Sequence, residues 1–356
     1  MNCTDLLIKR YKHLRSLRQL RRTYGGKYAF VGIGGHSTDN LYPVLDYLHV
    51  PLKYICCRSS DKLSLIEAAR PGVRATTSLP DVLANNEVKG VFVAAAPQAH
   101  FALASEVLRS GKALFIEKPP CQTLAELKQL IALQQEAQAV VAVGLQKRSS
   151  PIMRILKKEL KGCNGPITYN LRYLTGAYPE GDALLDLFIH PLDCMTSLFG
   201  EATLRWAEAV DGHTLLLMLS HRRATGILEL STAYSWSNAT EQWTINTAKG
   251  TYDMAQFDEL TFRSKPRQLM GVPLEKVFPH RPTAVSLFNR NNFVPLRANN
   301  QIVTQGYFDT VKGFVDAVEG NGTNIAAPLD SLVATYSLME SIRTRISEGI
   351  VGKHQK

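Results

Sequence analysis

Tyr28-Ala29-Phe30-Val31-Gly32-Ile33-Gly34-Gly35-His36-Ser37 is the stretch on which the fold turns. A short apolar run of β-forming residues (Tyr28–Ile33) breaks into a glycine-rich turn, and an apolar-periodic helical stretch (Leu41–His49) follows. A strand that is apolar at nearly every position must be covered on both faces, which is the property of a central strand in a parallel sheet. The same rhythm continues outward. Leu52–Cys57, Gly90–Ala95 and Ala113–Ile116 read as further buried strands, with Arg74–Thr76 as a short one, and Asp61–Arg70, Leu79–Asn85 and Gln98–Ser110 read as the helices between them. Thr123–Ala137 and the strand Ala139–Gly144 complete the unit. Strand–helix alternation of this kind predicts a doubly wound parallel sheet over residues 28–148.

The rhythm changes after Pro151. A helix (Ile152–Leu160), a strand (Ile167–Tyr173) and a helical stretch (Leu184–Phe199) precede longer alternating strands at Ala202–Val210, Thr214–Ser220, Thr225–Ala233 and Gln242–Thr247. Strands in succession without intervening helices predict a large, mostly antiparallel open sheet within a second α/β domain, residues 149–356. Pro273, Pro279, Pro282 and Pro295 mark loops, residues 266–300 carry no regular pattern, and helices around Tyr307–Glu319 and Leu329–Ser347 close the chain, free to pack back on the first domain.

The chain has 356 residues, 45% hydrophobic and 20% charged, long enough for two ordinary domains and typical of a globular protein. No apolar window is long enough to span a membrane, and basic residues interrupt the N-terminus, so neither a span nor a secretory signal is expected. The six cysteines (Cys3, Cys56, Cys57, Cys121, Cys163, Cys194) form no pair at metal-ligand spacing, which points to a reducing, cytoplasmic setting and no metal site. Most of the formal charge of +10 sits in residues 1–27, where eight Lys or Arg face Asp5 alone. Leu6, Leu7, Leu14, Leu17 and Leu20 recur there at roughly helical spacing, predicting a basic amphipathic helix docked on the first domain or on a partner subunit, ahead of nucleic-acid or anionic-membrane binding.

Several motifs carry chemistry. Gly32, Gly34, Gly35, His36 and Ser37, between strand and helix, suit a turn that brings backbone N–H groups and a helix N-terminus to a pyrophosphate, with Ser37 in the place of a third glycine. At the next strand end Arg58 and Ser59 stand where an acidic residue would bind the ribose of NAD, which favours the 2′-phosphate of NADP, with NAD the alternative. Ala96, Pro97 and His100 follow the third strand and should border the same ligand, because ligands bind outside the carboxyl ends of strands in open α/β sheets. Glu117 and Lys118, followed by two prolines, end the next strand, where an ammonium can polarise an oxygen. Asp186, His190 and Asp193 would share one helix face if the segment were helical throughout, giving an imidazole beside a carboxylate, the pairing for proton transfer. Pro191 complicates that geometry, since a helix can begin there. Tyr169, Arg172 and Tyr173, on a strand of the second domain, are candidates to meet a ligand and fit ordinary sheet packing equally well.

Together these residues resemble the glucose-fructose oxidoreductase, inositol dehydrogenase and MocA (Gfo/Idh/MocA) family. The resemblance rests on Gly32–Ser37, Ala94–His100, Gly111–Pro120, Gly144–Pro151 and Leu184–Asp193 in the family's order, and spans about Tyr28 to Arg343. It implies a Rossmann domain followed by an α/β domain whose open sheet often mediates homo-oligomerisation, and a hydride transfer between NAD(P) and a carbinol or carbonyl carbon of a sugar, polyol or related small molecule. By resemblance, Lys118 anchors nicotinamide and substrate hydroxyl, Asp186 binds substrate or orients the histidine, His190 transfers the proton, and Arg148 lies on the substrate side. Redox-assisted glycoside cleavage with tightly held NAD, and a dinucleotide-sensing regulator without catalysis, are the competing readings. Both Lys118 and His190 weigh against the sensor, which needs neither.

Overall fold

The computed structural model describes residues 3–20, 24–266, 268–277, 284–290 and 300–353. Pro279, Pro282 and Pro295 lie outside them. The first sheet is built from β1 (Lys27–Val31), β2 (Leu52–Cys56), β3 (Arg74–Thr76), β4 (Val88–Val93), β5 (Ala113–Ile116) and β6 (Val141–Val143), all parallel, in the order β3-β2-β1-β4-β5-β6. Every residue of β5 is buried, as a central strand covered on both faces requires. Before the helices, α1 (Cys3–Leu20) stands at the N-terminus; between the strands run α2 (Tyr42–Leu48), α3 (Leu63–Ala69), α4 (Leu79–Ala84), α5 (Pro97–Arg109) and α6 (Leu124–Ala137). Thr123 and Glu126 close a capping box that fixes where α6 begins. The order of the sheet reverses between β1 and β4, and the loops leaving the carboxyl ends of the two strands part there to open a crevice.

After α7 (Pro151–Lys161) the second sheet begins with β7 (Ile167–Leu174). It continues, beyond α8 (Ala183–Asp186) and α9 (Ile189–Phe199), with β8 (Thr203–Ala209), β9 (Thr214–Ser220), β10 (Ala224–Ser231), β11 (Thr240–Thr247), β12 (Gly250–Ala255) and β13 (Glu259–Ser264). A small hairpin of β14 (Gln268–Leu269) and β15 (Val272–Pro273) precedes β16 (Ala284–Asn289), and the sheet order is β16-β13-β12-β11-β7-β10-β9-β8. All its pairings are antiparallel except β7 with β10. In β7, Ile167, Tyr169 and Leu171 are buried while Thr168, Asn170 and Arg172 are exposed, so one face packs on helices and the other is open.

The chain then returns through α10 (Gln301–Thr304), α11 (Tyr307–Val318) and α12 (Val333–Lys353). Phe314 of α11 meets Phe92 and Phe115 edge-on at 5.2 and 5.8 Å, and the Tyr24 and Tyr28 hydroxyls donate to Asp316 and Glu319. α11 thus packs on one face of the first sheet.

Three sequence expectations are corrected here. Pro273 belongs to the small hairpin, and β13 to β16 lie in or beside a segment that reads as patternless. The helical stretch Leu184–Phe199 is two pieces, broken at Leu187–Phe188. Finally, α1 forms as a helix, but Leu6, Leu7, Tyr11 and Leu14 are all exposed, so these side chains do not dock on the first domain, and a partner subunit is the half of the expectation that stands.

Candidate active site

The glycine turn leaves β1 with Gly32 in the left-handed region (φ +107°), and a Cβ there would stand 2.1 Å from the Ala94 carbonyl oxygen. Only glycine allows β1 and β4 to exit this close together. Beyond them opens a cleft of about 460 Å³, lined by Gly32 and Ile33, by Cys57, Arg58, Ser59 and Lys62 from the end of β2, and by Ala94–Ala96 from the end of β4. It has the size and position of a nucleotide site, with two cations at the end where a ribose phosphate would lie. Gly34 and Gly35 have nothing within 4 Å of where a side chain would be, so this part of the turn is open. A dinucleotide therefore fits the residues present. A wider groove of about 880 Å³ between α12 and β8 lies on the outside of the second domain, among surface polar residues and away from this cluster.

At the end of β5, Glu117 is buried and its Oε2 accepts the Lys118 N–H (3.2 Å) and lies 3.4 Å from His36 Nε2, while Oε1 has no partner. Gly144, at the end of β6, makes room for it, since a Cβ there would stand 2.6 Å from Glu117 Oε1. Lys118 extends across the domain boundary and its Nζ donates to the Asp186 carbonyl oxygen at 2.6 Å. Burial lowers its proton affinity against the opposing charges of Glu117 and Asp186. Asp186 is the last residue of α8, and its Oδ2 accepts the Tyr178 hydroxyl at 3.2 Å. Burial, helped by the Asp186 charge, pushes the Tyr178 hydroxyl up to about 12. Burial likewise raises the Asp186 carboxyl, although Tyr178 and Lys118 oppose it.

His190, in the first turn of α9, is 7% exposed, and its Nδ1 has no partner. Burial first, then the charges of Lys118, Lys147 and His36, hold its pKa well below the ordinary imidazole value, so the ring is neutral at pH 7. A neutral imidazole within the field of an ammonium pairs a group able to accept a proton with a cation able to stabilise charge on an oxygen. Lys118 from the first domain and His190 from the second thus converge.

Other expected residues stand differently. No carboxylate orients His190, because Asp193 is taken by Arg148, whose Nε and Nη2 donate to its two oxygens at 2.7 and 2.5 Å. Arg148 also donates to Ser331 Oγ and to the Ala326 and Ser331 carbonyls, a wholly buried fork that braces α9 rather than facing a ligand. His100 is a strut between strand ends, with Nδ1 2.7 Å from the Pro119 oxygen and Nε2 3.0 Å from the Ala95 oxygen. Ser37 is buried inside its own turn, accepting from Gly34 N–H (3.0 Å) and donating to Gly34 O (2.9 Å). Arg58 and Ser59 line the cleft, as does Ala96, while Pro97 opens α5. Tyr173 is half-buried and meets Phe188 edge-on at 6.2 Å. Lys62, Lys147, Tyr178 and Glu241 belong to the region and were missed. Glu241 had a legible signal: it shares strand parity with Trp243 and Ile245, the inward face of β11.

A parallel sheet with a glycine turn at its switch point, followed by a large open sheet, is the architecture of a two-domain nucleotide-binding protein. Residues 26–145 match the Gfo/Idh/MocA family model, described as an oxidoreductase family with an NAD-binding Rossmann fold. The chain is 33% identical over 147 residues to UDP-N-acetylglucosamine 3-dehydrogenase of Acidithiobacillus ferrooxidans, a match covering 40% of this chain and 44% of that one. It spans about half the length of the curated relatives it matches. Among solved structures, a dehydrogenase from Chromobacterium violaceum superposes with a TM-score of 0.77 at 19% identity, covering 93% of this chain and 98% of the other. KijD10, a 3-ketoreductase from Actinomadura kijaniata in complex with TDP-benzene and NADP, superposes with a TM-score of 0.69 at 17% identity, covering 90% and 98%. These likenesses show a shared fold that covers nearly the whole chain. Among the described residues no helix is long and apolar enough to cross a membrane, and no cluster could hold a metal ion.

Proposed function

We propose that this protein is an NAD(P)-dependent oxidoreductase that transfers hydride between nicotinamide and a carbinol or carbonyl carbon of a sugar, polyol or related small molecule. The observation that carries this reading is the meeting of Lys118 and His190 across the domain boundary, beyond a cleft that fits a dinucleotide. The bound dinucleotide supplies hydride acceptance and return. The protein's own residues do the rest. The Lys118 ammonium stabilises negative charge on the substrate oxygen as it develops. The neutral His190 ring accepts that oxygen's proton during oxidation and returns it during reduction. Asp186 and Tyr178 form the polar wall against which a substrate hydroxyl is oriented. Arg58, with Lys62 beside it, favours NADP through the 2′-phosphate.

Free, mostly buried cysteines accord with a cytoplasmic setting. The open face of the second sheet carries Trp206, Met218 and Ile227 side by side in register, which supports a homo-oligomer formed through that face.

The test is a panel of sugars, polyols and nucleotide-linked sugars, the last suggested by the relative from Acidithiobacillus ferrooxidans, read at the nicotinamide absorbance. At least one member is expected to turn over with NADPH or NADH. His190→Ala and Lys118→Ala are each expected to lower that turnover by about 10²–10⁴-fold while dinucleotide binding survives. Near-native turnover in both variants overturns the assignment.

A further inference from the structure

The reaction centre holds a second ammonium with no part in the chemistry above. Lys147 lies in the tight turn Gln146–Ser149 that follows β6, and its Nζ is ion-paired with Glu241 Oε2, 94 residues away at the start of β11. Both side chains are buried, 9% and 8% exposed. The ammonium stands 5.0 Å from the Tyr173 ring centroid and 5.2 Å from that of Phe257, so two aromatic faces box it on the sides the carboxylate leaves free. Tyr173 is the residue paired with Glu241 across the β7–β11 ladder. Burying two charges costs several kcal/mol per ion in hydration, so a buried pair is a poor source of stability and calls for another use.

We propose that Lys147 and Glu241 form a positioning couple that joins the turn after β6 to the second sheet beside the Tyr173 ring and governs proton exchange at His190. The inference rests on the role given to His190 above. α9 packs against the turn that carries Lys147. The Lys147 charge bears on His190 and on Cys194, one helical turn apart on the same face of α9. Glu241 answers that charge with one oxygen, since its Oε1 has no partner.

The charges around the imidazole come from every neighbouring element. Lys118 approaches from the loop after β5. His36 comes from the glycine turn, with Glu117 beside it. Lys147 comes from its own turn, with Glu241 beside it. Asp193, one turn along α9, is consumed by Arg148, and the Asp186 carboxylate by Tyr178. The cations therefore act on the ring while the carboxylates are engaged elsewhere, and burial together with those cations keeps it unprotonated. Removing the Lys147 charge must let the ring protonate at higher pH; removing the Glu241 charge must push protonation lower. A plain structural brace moves neither, or both alike.

The test is the ¹⁵N-detected titration of the His190 ring in the full-length protein without substrate or cofactor, its signal identified by loss in His190→Gln. Lys147→Met is expected to raise the midpoint by about half to one pH unit, Glu241→Gln to lower it, and Lys147→Arg to restore the wild-type value. Should Lys147→Met not fold, the double variant with Glu241→Gln replaces it and must titrate above Glu241→Gln alone. If wild-type His190 stays neutral down to the pH of unfolding, protonation in the Lys147-neutral variant and not in Glu241→Gln supports the couple. Equal midpoints, shifts in one direction, or no titration in any variant overturn it. An inert substrate panel with opposite shifts sinks only the oxidoreductase reading; an active enzyme with equal shifts sinks only the couple.

Discussion

Arg148 and His190 show how differently two polar residues of neighbouring elements can be used. Arg148 spends its donors on Asp193, Ser331 and two carbonyls, and the result is rigidity at the base of α9. Arg148→Met leaves Asp193 buried with only the Thr335 hydroxyl, donated at 3.1 Å, in compensation. The variant is expected to lose about 3–5 kcal/mol of stability by chemical denaturation. A variant that unfolds like wild type but binds substrate poorly contradicts this and returns Arg148 to the substrate side. His190 keeps an unpaired ring nitrogen, which a structural histidine seldom does. Lys118 and His190 were legible because each sits in a local motif beside a strand or helix end. The partner of Lys147 was not, because nothing local links a turn after β6 to the first residues of β11.

At the scale of elements, the parallel strands were legible to within two residues at each end, because a strand covered on both faces is apolar throughout. The strands of the second sheet that escaped reading, β12, β13 and β16, alternate apolar residues with Thr, Asp, Ser and Asn, since their second face is open. The parallel pairing of β7 with β10 could not be read either; register between distant strands leaves no local trace. Several histidines tie these elements together. His100 joins the ends of β4 and β5, and His221 joins the Gly200 turn to β7 through the Tyr169 hydroxyl at 2.8 Å. Burial holds both, and His190, below the ordinary imidazole value. The folded protein therefore keeps them neutral while the unfolded chain takes up protons near pH 6.5. Their contribution to stability is complete above that pH and is lost as pH falls below it, with a slope of up to about 1.4 kcal/mol per pH unit for each histidine. Thermal melting at pH 7.5 and 5.5 is expected to show a lower midpoint at pH 5.5, partly removed in His221→Gln; a flat profile contradicts the burial argument.

For the whole molecule, the two sheets divide the work. The first opens its cleft at the carboxyl ends of its strands; the second packs one face on helices and leaves Trp206, Met218 and Ile227 exposed on the other, the face proposed to meet a second copy. Charge on that outer face separates the two roles: Ile227→Glu with Met218→Glu is expected to shift the protein to monomer in analytical ultracentrifugation while dinucleotide binding persists. An unchanged sedimentation profile removes the oligomer from this face. The convergence of a nucleotide-domain ammonium and a second-domain imidazole on one ligand remains the claim on which the rest stands. A crystal structure of the protein soaked with NADPH tests it most directly. The nicotinamide ring is expected between Lys118 and His190 with the 2′-phosphate at Arg58; a ring elsewhere, or a cleft that stays closed to the dinucleotide, contradicts it.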